Sequence, residues 1–426
     1  MRREQRTPGS RPSGRIRLAG TARPSQGSDV TEPSAAVLDG PSATSAGPRA
    51  LPRPLTSGAV RAVGLFAAAR LTGIVAVTVM AWLSGREPLA LLGRSWDSRW
   101  YLHIAEDGYG ARTLHFGHGV VFSDMAFFPL YPALIRALHE TLPFEAATGA
   151  LLISWTATLA AALGIYRIGE LLHGRLVATL LVVLWGLLPH SSVLTMAYTE
   201  PVLTALGTWS LYAVLKGRWV WAGSLAALAG LSRPNGFAVA AAVLATAACE
   251  IVRRRGRVPH RLWTGALLAP AGWAAYVLWV GFRKGDPLGG YFAVQRGWGS
   301  TFDFGVGSAR SVKKMLLHGD RFVFPMTLVI VAAAVLLYVL LLLDRPPLPL
   351  LVYSGVLLLV ALGGSGYFES KPRFLLPAFP LLLPMACALA RTARARPAHA
   401  LLVVGALAGL SVTYGTYLIV YARAPL

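Results

Sequence analysis

Charged side chains are scarce in this sequence. They make up only 14% of its 426 residues, whereas a soluble globular chain carries roughly 25%. Hydrophobic residues make up 55%, and the mean hydropathy is +0.54. A water-soluble fold of this length has too little interior for so many apolar side chains. The composition therefore excludes an ordinary soluble enzyme and predicts a polytopic, all-α membrane protein.

Cysteine and the common cofactor motifs are also lacking. The two cysteines, Cys249 and Cys387, lie inside apolar runs, which excludes a disulfide framework or a cysteine metal site. Three histidines, His103, His115 and His118, lie close together but have no metal-binding spacing. The chain has no Walker loop, nucleophile elbow or dinucleotide fingerprint. We therefore predict neither a metal nor a cofactor, and a nucleotide-sugar donor is disfavoured.

Acidic residues are outnumbered by basic ones. The chain has 19 Asp and Glu against 40 Lys and Arg, a formal net charge of +21. Such an excess is common in nucleic-acid-binding proteins, but here the basic residues lie between apolar runs. Positive loops of this kind fix the orientation of a membrane protein. We predict a bilayer and no nucleic acid as partner.

The N-terminal residues 1–58 are rich in Ser, Pro, Gly and Arg and have no hydrophobic periodicity. Such a segment cannot bury enough apolar surface to fold. Through Arg61 it holds ten Arg against four acids, so we expect a disordered cytoplasmic tail. Residues 59–426 are predicted to form one multi-span domain.

Four basic segments, at 167–175, 216–218, 253–257 and 391–396, serve to orient this domain. If all four lie in the cytoplasm, the chain crosses about eleven times and residues 84–146 form a long first external loop. Within this loop, Phe127–Leu138 is too short to cross and is predicted to be interfacial. The predicted spans are 62–83, 147–165, 176–190, 201–215, 219–231, 236–252, 262–282, 323–343, 348–364, 374–390 and 399–421.

This topology places the unusual polar clusters on the outer side of what we expect to be the plasma membrane. Ionisable groups at span ends are costly and mark functional sites by default, although each could be an interfacial anchor. Because five clusters share one side, we predict a site that faces outside. The clusters are Trp96–Tyr101, Tyr198–Glu200, Ser232–Gly236, Asp286–Trp298 and Glu369–Arg373.

The first cluster opens a predicted helix in the external loop. Trp96, Trp100, His103 and Ile104 recur at spacings of three and four and therefore share a face. Asp97 and Tyr101 lie on the adjoining face, and Gly108 and Gly110 can end the helix. The pattern holds the Asp97 carboxylate at the membrane surface, although an acid in a first helical turn is also favoured by the helix dipole.

Sugar transfer from a lipid phosphate needs a base for the acceptor hydroxyl and a cation for the departing phosphate. Asp97 is the candidate base, with Glu200 as its rival. Arg233, Lys371 and Arg373 are the candidate cations, since arginine in particular matches phosphate oxygens. Lys371 and Arg373 could instead be anchors at a span end.

Four strings carry a family resemblance: WDSRWYLHIAEDGYG at 96–110, AFFPLYP at 126–132, AYTE at 197–200 and LSRPNG at 231–236. In order and spacing they resemble the PIG-V type mannosyltransferases, the family of the second GPI mannosyltransferase, in its bacterial form. The later PRFLLPAFP, at 372–380, also resembles bacterial members.

The resemblance implies a GT-C fold with the catalytic acid in the first external loop. It also implies inverting transfer of a sugar, usually mannose, from a polyprenyl-phosphate carrier. Asp97 then takes the base position, Arg233 and Asn235 match the family's Arg-x-Asn, and Trp96, Trp100 and Tyr101 help to seat the substrates. Eukaryotic members favour Ser where Pro234 stands, so a GPI precursor is not implied.

The sequence thus predicts a glycosyltransferase whose acceptor is a lipid, a glycan or a protein. An arabinosyltransferase of the same architecture is one alternative. A protein O-mannosyltransferase is disfavoured because Ser98, and not Glu, follows Asp97. A transporter or flippase of lipid-linked sugars is disfavoured because no internal repeat is visible. A non-catalytic subunit is the last alternative.

Overall fold

The computed structural model describes residues 57–116, 120–319 and 321–422, most of which are helical. The tail predicted for residues 1–58 lies outside the described residues, except that Ser57 and Gly58 begin the first helix. The elements are α1 Ser57–Leu83, α2 Pro88–Gly93, α3 Asp97–Asp107, β1 Thr113–Phe116, β2 Val120–Ser123, α4 Leu130–Thr141, α5 Ala146–His173, α6 Arg175–Gly186, α7 Glu200–Leu215, α8 Trp219–Gly230, α9 Phe237–Arg253, α10 His260–Arg283, α11 Gly290–Gly297, α12 Val306–His318, α13 Val323–Asp344, α14 Leu348–Gly363, α15 Lys371–Leu375, α16 Leu383–Ala395 and α17 Pro397–Thr416.

Six of these helices are long and apolar enough to cross a membrane, and a bent helix pair raises the number to seven. They are α1, α5, α9, α10, α13 and α17, and three shorter apolar helices, α6, α8 and α14, accompany them. By length and composition the chain is a multi-pass membrane protein. Ten of the eleven predicted spans lie largely within single helical segments, and that each one crosses the bilayer stays a prediction.

The predicted straight span 374–390 is broken in the structure. The segments Phe368–Leu375 and Phe379–Ala395 meet at an angle of 78°. Four prolines, at positions 372, 377, 380 and 384, punctuate this region. Proline removes a backbone donor, and its ring clashes with the preceding turn, so a straight helix cannot form here. The bend brings the polar residues 369–373 to the end of the bundle where the first loop lies.

The first loop contains short elements only. Between residues 84 and 145, none of the described elements is long enough to span a membrane, and α4 has 12 residues. Tyr131 and Ile135 of α4 are fully buried, and the Tyr131 hydroxyl lies 2.7 Å from Ser154 Oγ of α5. The loop is therefore packed onto the bundle.

Strands β1 and β2 add a two-stranded hairpin to the all-α architecture expected from the sequence. They pair antiparallel, with Thr113 opposite Ser123. The indole of Trp298 stacks on Phe122 at 4.3 Å, and its Nε1–H donates to the Ser123 carbonyl at 3.0 Å. The hairpin is thereby fixed to the segment that follows α11 and forms one wall of the site described next.

Candidate active site

Helix α3 carries the candidate base at its first residue, Asp97. The preceding residue, Trp96, has φ 52, a left-handed conformation that side-chain-bearing residues rarely adopt. Gly108, also at positive φ, ends the helix as predicted. Strained backbone persists only where the surroundings hold it, and it is concentrated at functional sites. Here the sharp entry into α3 sets the direction in which Asp97 points.

Asp97 belongs to a network of two carboxylates and two guanidiniums. Arg373 Nη1 lies 2.8 Å from Asp97 Oδ2, and Arg373 Nε lies 3.7 Å from Glu200 Oε1. Arg233 forms an ion pair with the same Glu200 oxygen and donates to Thr199 Oγ1 at 3.3 Å. The chain thus brings together, from four separate segments, the carboxylates and arginines that the sequence singled out.

Burial distinguishes the two carboxylates. The Glu200 side chain is 1% exposed and lies between both arginines. The Asp97 side chain is 21% exposed and lines a large cavity, which Glu200 does not. A base must reach the proton that it removes. The geometry therefore favours Asp97 over its rival, and Glu200 acts as a buried counter-charge for the arginines.

The cavity, which we call the main cavity, has a volume of about 1190 Å³. Five arginines line it, namely Arg86, Arg99, Arg112, Arg233 and Arg373, and Asp97 is the one acid among the described residues of its wall. Arginine forks match the oxygens of phosphate. Such a wall suits a substrate with a phosphate group and places one carboxylate beside it.

Aromatic rings form the other wall of the main cavity. Trp100 stacks on Phe127 at 5.6 Å and meets Trp298 edge-on at 5.0 Å. The Arg112 guanidinium lies over the Trp100 ring at 5.0 Å. This wall joins the two most specific sequence motifs, those of 96–110 and 126–132, and suits a sugar or an isoprenoid chain.

Tyr101 and Asn235 complete the set of predicted residues at the cavity. Asn235 is 6% exposed and follows Arg233 in the turn before α9. The Tyr101 hydroxyl lies 3.3 Å from Thr199 Oγ1. Burial raises the pKa of the Tyr101 phenol well above its ordinary value, so the phenol stays neutral at physiological pH.

Lys371 is the predicted residue that the structure places elsewhere. Its ammonium group donates to the carbonyls of Ala361 and Gly364, the latter at 2.7 Å. These carbonyls lie at the C-terminal end of α14, where a cation is favoured. Lys371 does not line the main cavity, so its contacts fix the loop that presents Arg373.

Several cavity residues were not predicted. Gln295 comes from α11 and Trp298 directly follows it, Tyr367 comes from the loop after α14, and Arg86 comes from the loop between α1 and α2. Tyr367, like Trp96, has a positive φ, of 35. The Asp286–Trp298 cluster was noted, but no local pattern indicated that its last residue would contact a loop 175 positions earlier.

Solved structures resemble this fold. The oligosaccharyltransferase of Archaeoglobus fulgidus in its apo form has a TM-score of 0.52 at 14% identity, covering 86% of this chain and 56% of that one. The complex of that enzyme with zinc and sulfate has a TM-score of 0.51 at 16% identity, and the match covers 85% of this chain and 54% of that one. The form tethered to an acceptor peptide has a TM-score of 0.51 at 14% identity, and the match covers 86% of this chain and 56% of that one. No protein-family model and no curated protein matches the chain.

These neighbours show that the chain shares the fold of the Archaeoglobus fulgidus oligosaccharyltransferase. The chain spans little more than half the length of these structures. At such low identity the likeness shows the fold alone. Membership of the PIG-V type family stays a prediction.

One neighbour contains zinc. The acids of the present site, Asp97 and Glu200, both face arginines, and the described residues contain no group of three or more His, Cys, Asp or Glu that could hold a metal ion. A donor set dominated by guanidiniums does not fit a divalent cation.

Proposed function

We propose that the chain is an inverting glycosyltransferase that moves a sugar from a polyprenyl-phosphate carrier to an acceptor hydroxyl. The sequence resemblance indicates that this sugar is mannose. The observation that carries the proposal is the main cavity, in which a single carboxylate faces an arginine-rich wall. The GT-C fold supports the reaction class. The resemblance of the motifs at 96–110 and 126–132 supports the donor.

Asp97 accepts the proton of the acceptor hydroxyl as its oxygen attacks the anomeric carbon. The bond between that carbon and the carrier's phosphate oxygen breaks, and the phosphate leaves with the electron pair. Arg373 and Arg233 neutralise the added charge. Because Arg373 contacts Asp97 before substrate enters, an incoming phosphate competes for this arginine and releases the carboxylate for its role as base.

Transfer from radiolabelled polyprenyl-phosphate-mannose tests this assignment. We expect purified Asp97→Asn protein in nanodiscs to lose at least about 100-fold in rate, the scale of a general base. Glu140→Gln is the matched control, since Glu140 is an exposed carboxylate of α4 paired with Arg136 outside the cavity. Counting lipid and protein fractions separately identifies the acceptor class.

Near-normal transfer by Asp97→Asn would reject the base assignment. Absence of transfer by the wild type, together with movement of the intact lipid across the bilayer, would replace the enzyme by a transporter. With the basic loops placed in the cytoplasm, the proposed site faces the outside of the plasma membrane, where lipid-linked donors and acceptors meet at the bilayer surface.

A further inference from the structure

A second cavity lies beside the first, on the other side of helix α3. It has a volume of about 620 Å³, and we call it the outer lobe. Helix α3 is the partition between the two. Trp96, Asp97, Trp100 and Tyr101 face the main cavity, and Leu102, His103 and Glu106 face the outer lobe. Five residues line both spaces, namely Arg86, Leu91, Ser95, Arg99 and Arg112.

Four guanidiniums and one imidazole line the outer lobe: Arg86, Arg94, Arg99, Arg112 and His103. Two of these five groups have a carboxylate partner, and His103 Nδ1 lies 2.9 Å from Asp107 Oδ2. Arg94 forms an ion pair with Glu145 at 2.8 Å, both exposed. Arg99 donates to the Arg94 carbonyl, Arg86 to the Val420 carbonyl, and Arg112 lies over a ring.

The two acids of the lobe do not balance these cations. Glu87 is engaged at the start of α2, where its carboxylate accepts the backbone N–H groups of Leu89 and Ala90. Glu106, near the C-terminal end of α3, is the other acid that lines the lobe. An open pocket with this excess of arginine is suited to a phosphate group.

We propose that the outer lobe binds a phosphate group of the acceptor, so that the acceptor is an anionic molecule. This rests on the proposed function. In an inverting displacement the attacking oxygen approaches opposite the leaving phosphate. The donor's phosphate is assigned to Arg233 and Arg373, inside the main cavity. A molecule seated in the outer lobe reaches Asp97 past Ser95 and Arg99, which line both spaces.

A donor alone does not account for the lobe. A polyprenyl monophosphate has one phosphate, and the two buried arginines of the main cavity match it. Arg86, Arg99 and Arg112, which line both spaces, are left over and can bind a second anionic group beside Arg94. That group belongs to a phospholipid headgroup or to a soluble phosphorylated molecule, and both share the same phosphate chemistry.

The test measures binding without turnover. Detergent-purified protein is titrated with phosphatidylglycerol in mixed micelles, with phosphatidylcholine as the zwitterionic reference, and with glycerol 3-phosphate as the soluble headgroup. We expect at least a tenfold weaker affinity for the phosphate probe in the double variant Arg94→Gln/Arg99→Gln. The control Arg136→Gln removes an exposed arginine of α4 outside both cavities and leaves the affinity unchanged.

The two probes identify the source of the phosphate. If the double variant weakens the binding of phosphatidylglycerol alone, the acceptor is a lipid. If it also weakens the binding of glycerol 3-phosphate, the headgroup suffices for binding by itself. If neither probe distinguishes the double variant from Arg136→Gln, the proposal is wrong. It is equally wrong if the double variant weakens polyprenyl-phosphate binding as strongly, since the lobe then belongs to the donor.

Failure of this proposal is separable from failure of the proposed function. Transfer that depends on Asp97, together with phosphate binding that ignores the outer lobe, would reject only the anionic acceptor. Transfer that does not need Asp97 would reject the base assignment whatever the lobe binds.

Discussion

At the scale of single residues, the site is built on a balance of buried charge. Two arginines and two carboxylates meet where the described side chains are at most 21% exposed. Burying an ion without a partner is costly, and breaking a buried pair costs about 3–5 kcal/mol. Glu200 contacts both arginines, so it contributes to stability and positions the cations. Asp97 contacts one arginine and lines the cavity, and it is the base in the proposed reaction.

The contrast between the two carboxylates predicts opposite phenotypes. We expect Glu200→Gln to lower the thermal unfolding midpoint clearly, because Arg233 loses its carboxylate partner. We expect Asp97→Asn to unfold near the wild-type temperature, because its arginine keeps Glu200, and to lose transfer. Thermal unfolding of purified protein, followed by tryptophan fluorescence, measures the first effect, and the transfer assay measures the second. A Glu200→Gln protein that unfolds at the wild-type temperature would reject the stabilising role of Glu200.

At the scale of elements, the sequence predicts helices better than it predicts their path. Ten of the eleven apolar runs lie largely within single helices and α3 ends at Gly108, because apolar periodicity and glycine act locally. The 78° bend before α16 and the β1–β2 hairpin were not predicted. The hairpin depends on a Trp298 contact across 175 positions, which no local pattern contains.

For the candidate site, too, local signals were readable from the sequence and long-range contacts were not. Glu200, Arg233 and Arg373 were marked by polar side chains at the ends of apolar runs, and Asp97 by its place at the start of the external-loop helix. These are local signals, and the structure brings the four residues together. The placement of Lys371 on the end of α14 was not predictable, because it depends on where the chain bends.

Close packing of α8 and α10 supports the turn that carries Arg233. A Cβ added at Gly272 of α10 would clash with the Ala227 carbonyl of α8, so only glycine permits this approach. Helix α8 leads directly into the turn, and the Leu231 carbonyl accepts the Leu130 N–H at 3.0 Å. The spacing of two helices thus sets the position of an arginine in the cavity.

Gly272→Ala is therefore expected to destabilise the protein by about 1–3 kcal/mol, the range for overpacking, and to reduce transfer by displacing Arg233. Gly405→Ala is the matched control, since a Cβ at this helical glycine of α17 meets no atom within 4 Å. Unfolding temperature and transfer rate measured on the same preparations check both effects. A Gly272→Ala protein that matches the control in both would show that α8 and α10 adjust without moving the turn.

At the scale of the whole molecule, the cavity and the most basic loop lie at opposite ends of the bundle. Helix α9 begins next to Arg233 and ends at Arg253. Its 17 residues extend about 25 Å at 1.5 Å per residue. Both ends are rich in arginine, but the arginines of residues 253–257 are exposed, whereas Arg233 and Arg373 of the cavity are buried. The positive-inside rule concerns exposed loop charges and predicts that the cavity faces outward.

Cysteine labelling of intact cells tests this orientation. In a background without Cys249 and Cys387, single cysteines replace Thr141, exposed at the end of α4, and Arg257, exposed in the loop after α9. We expect a membrane-impermeant maleimide to label Thr141→Cys in intact cells and Arg257→Cys only after permeabilisation. The opposite pattern would place the cavity in the cytoplasm, where a nucleotide-linked donor is at hand, and the polyprenyl-phosphate donor would lose the topological argument that favours it.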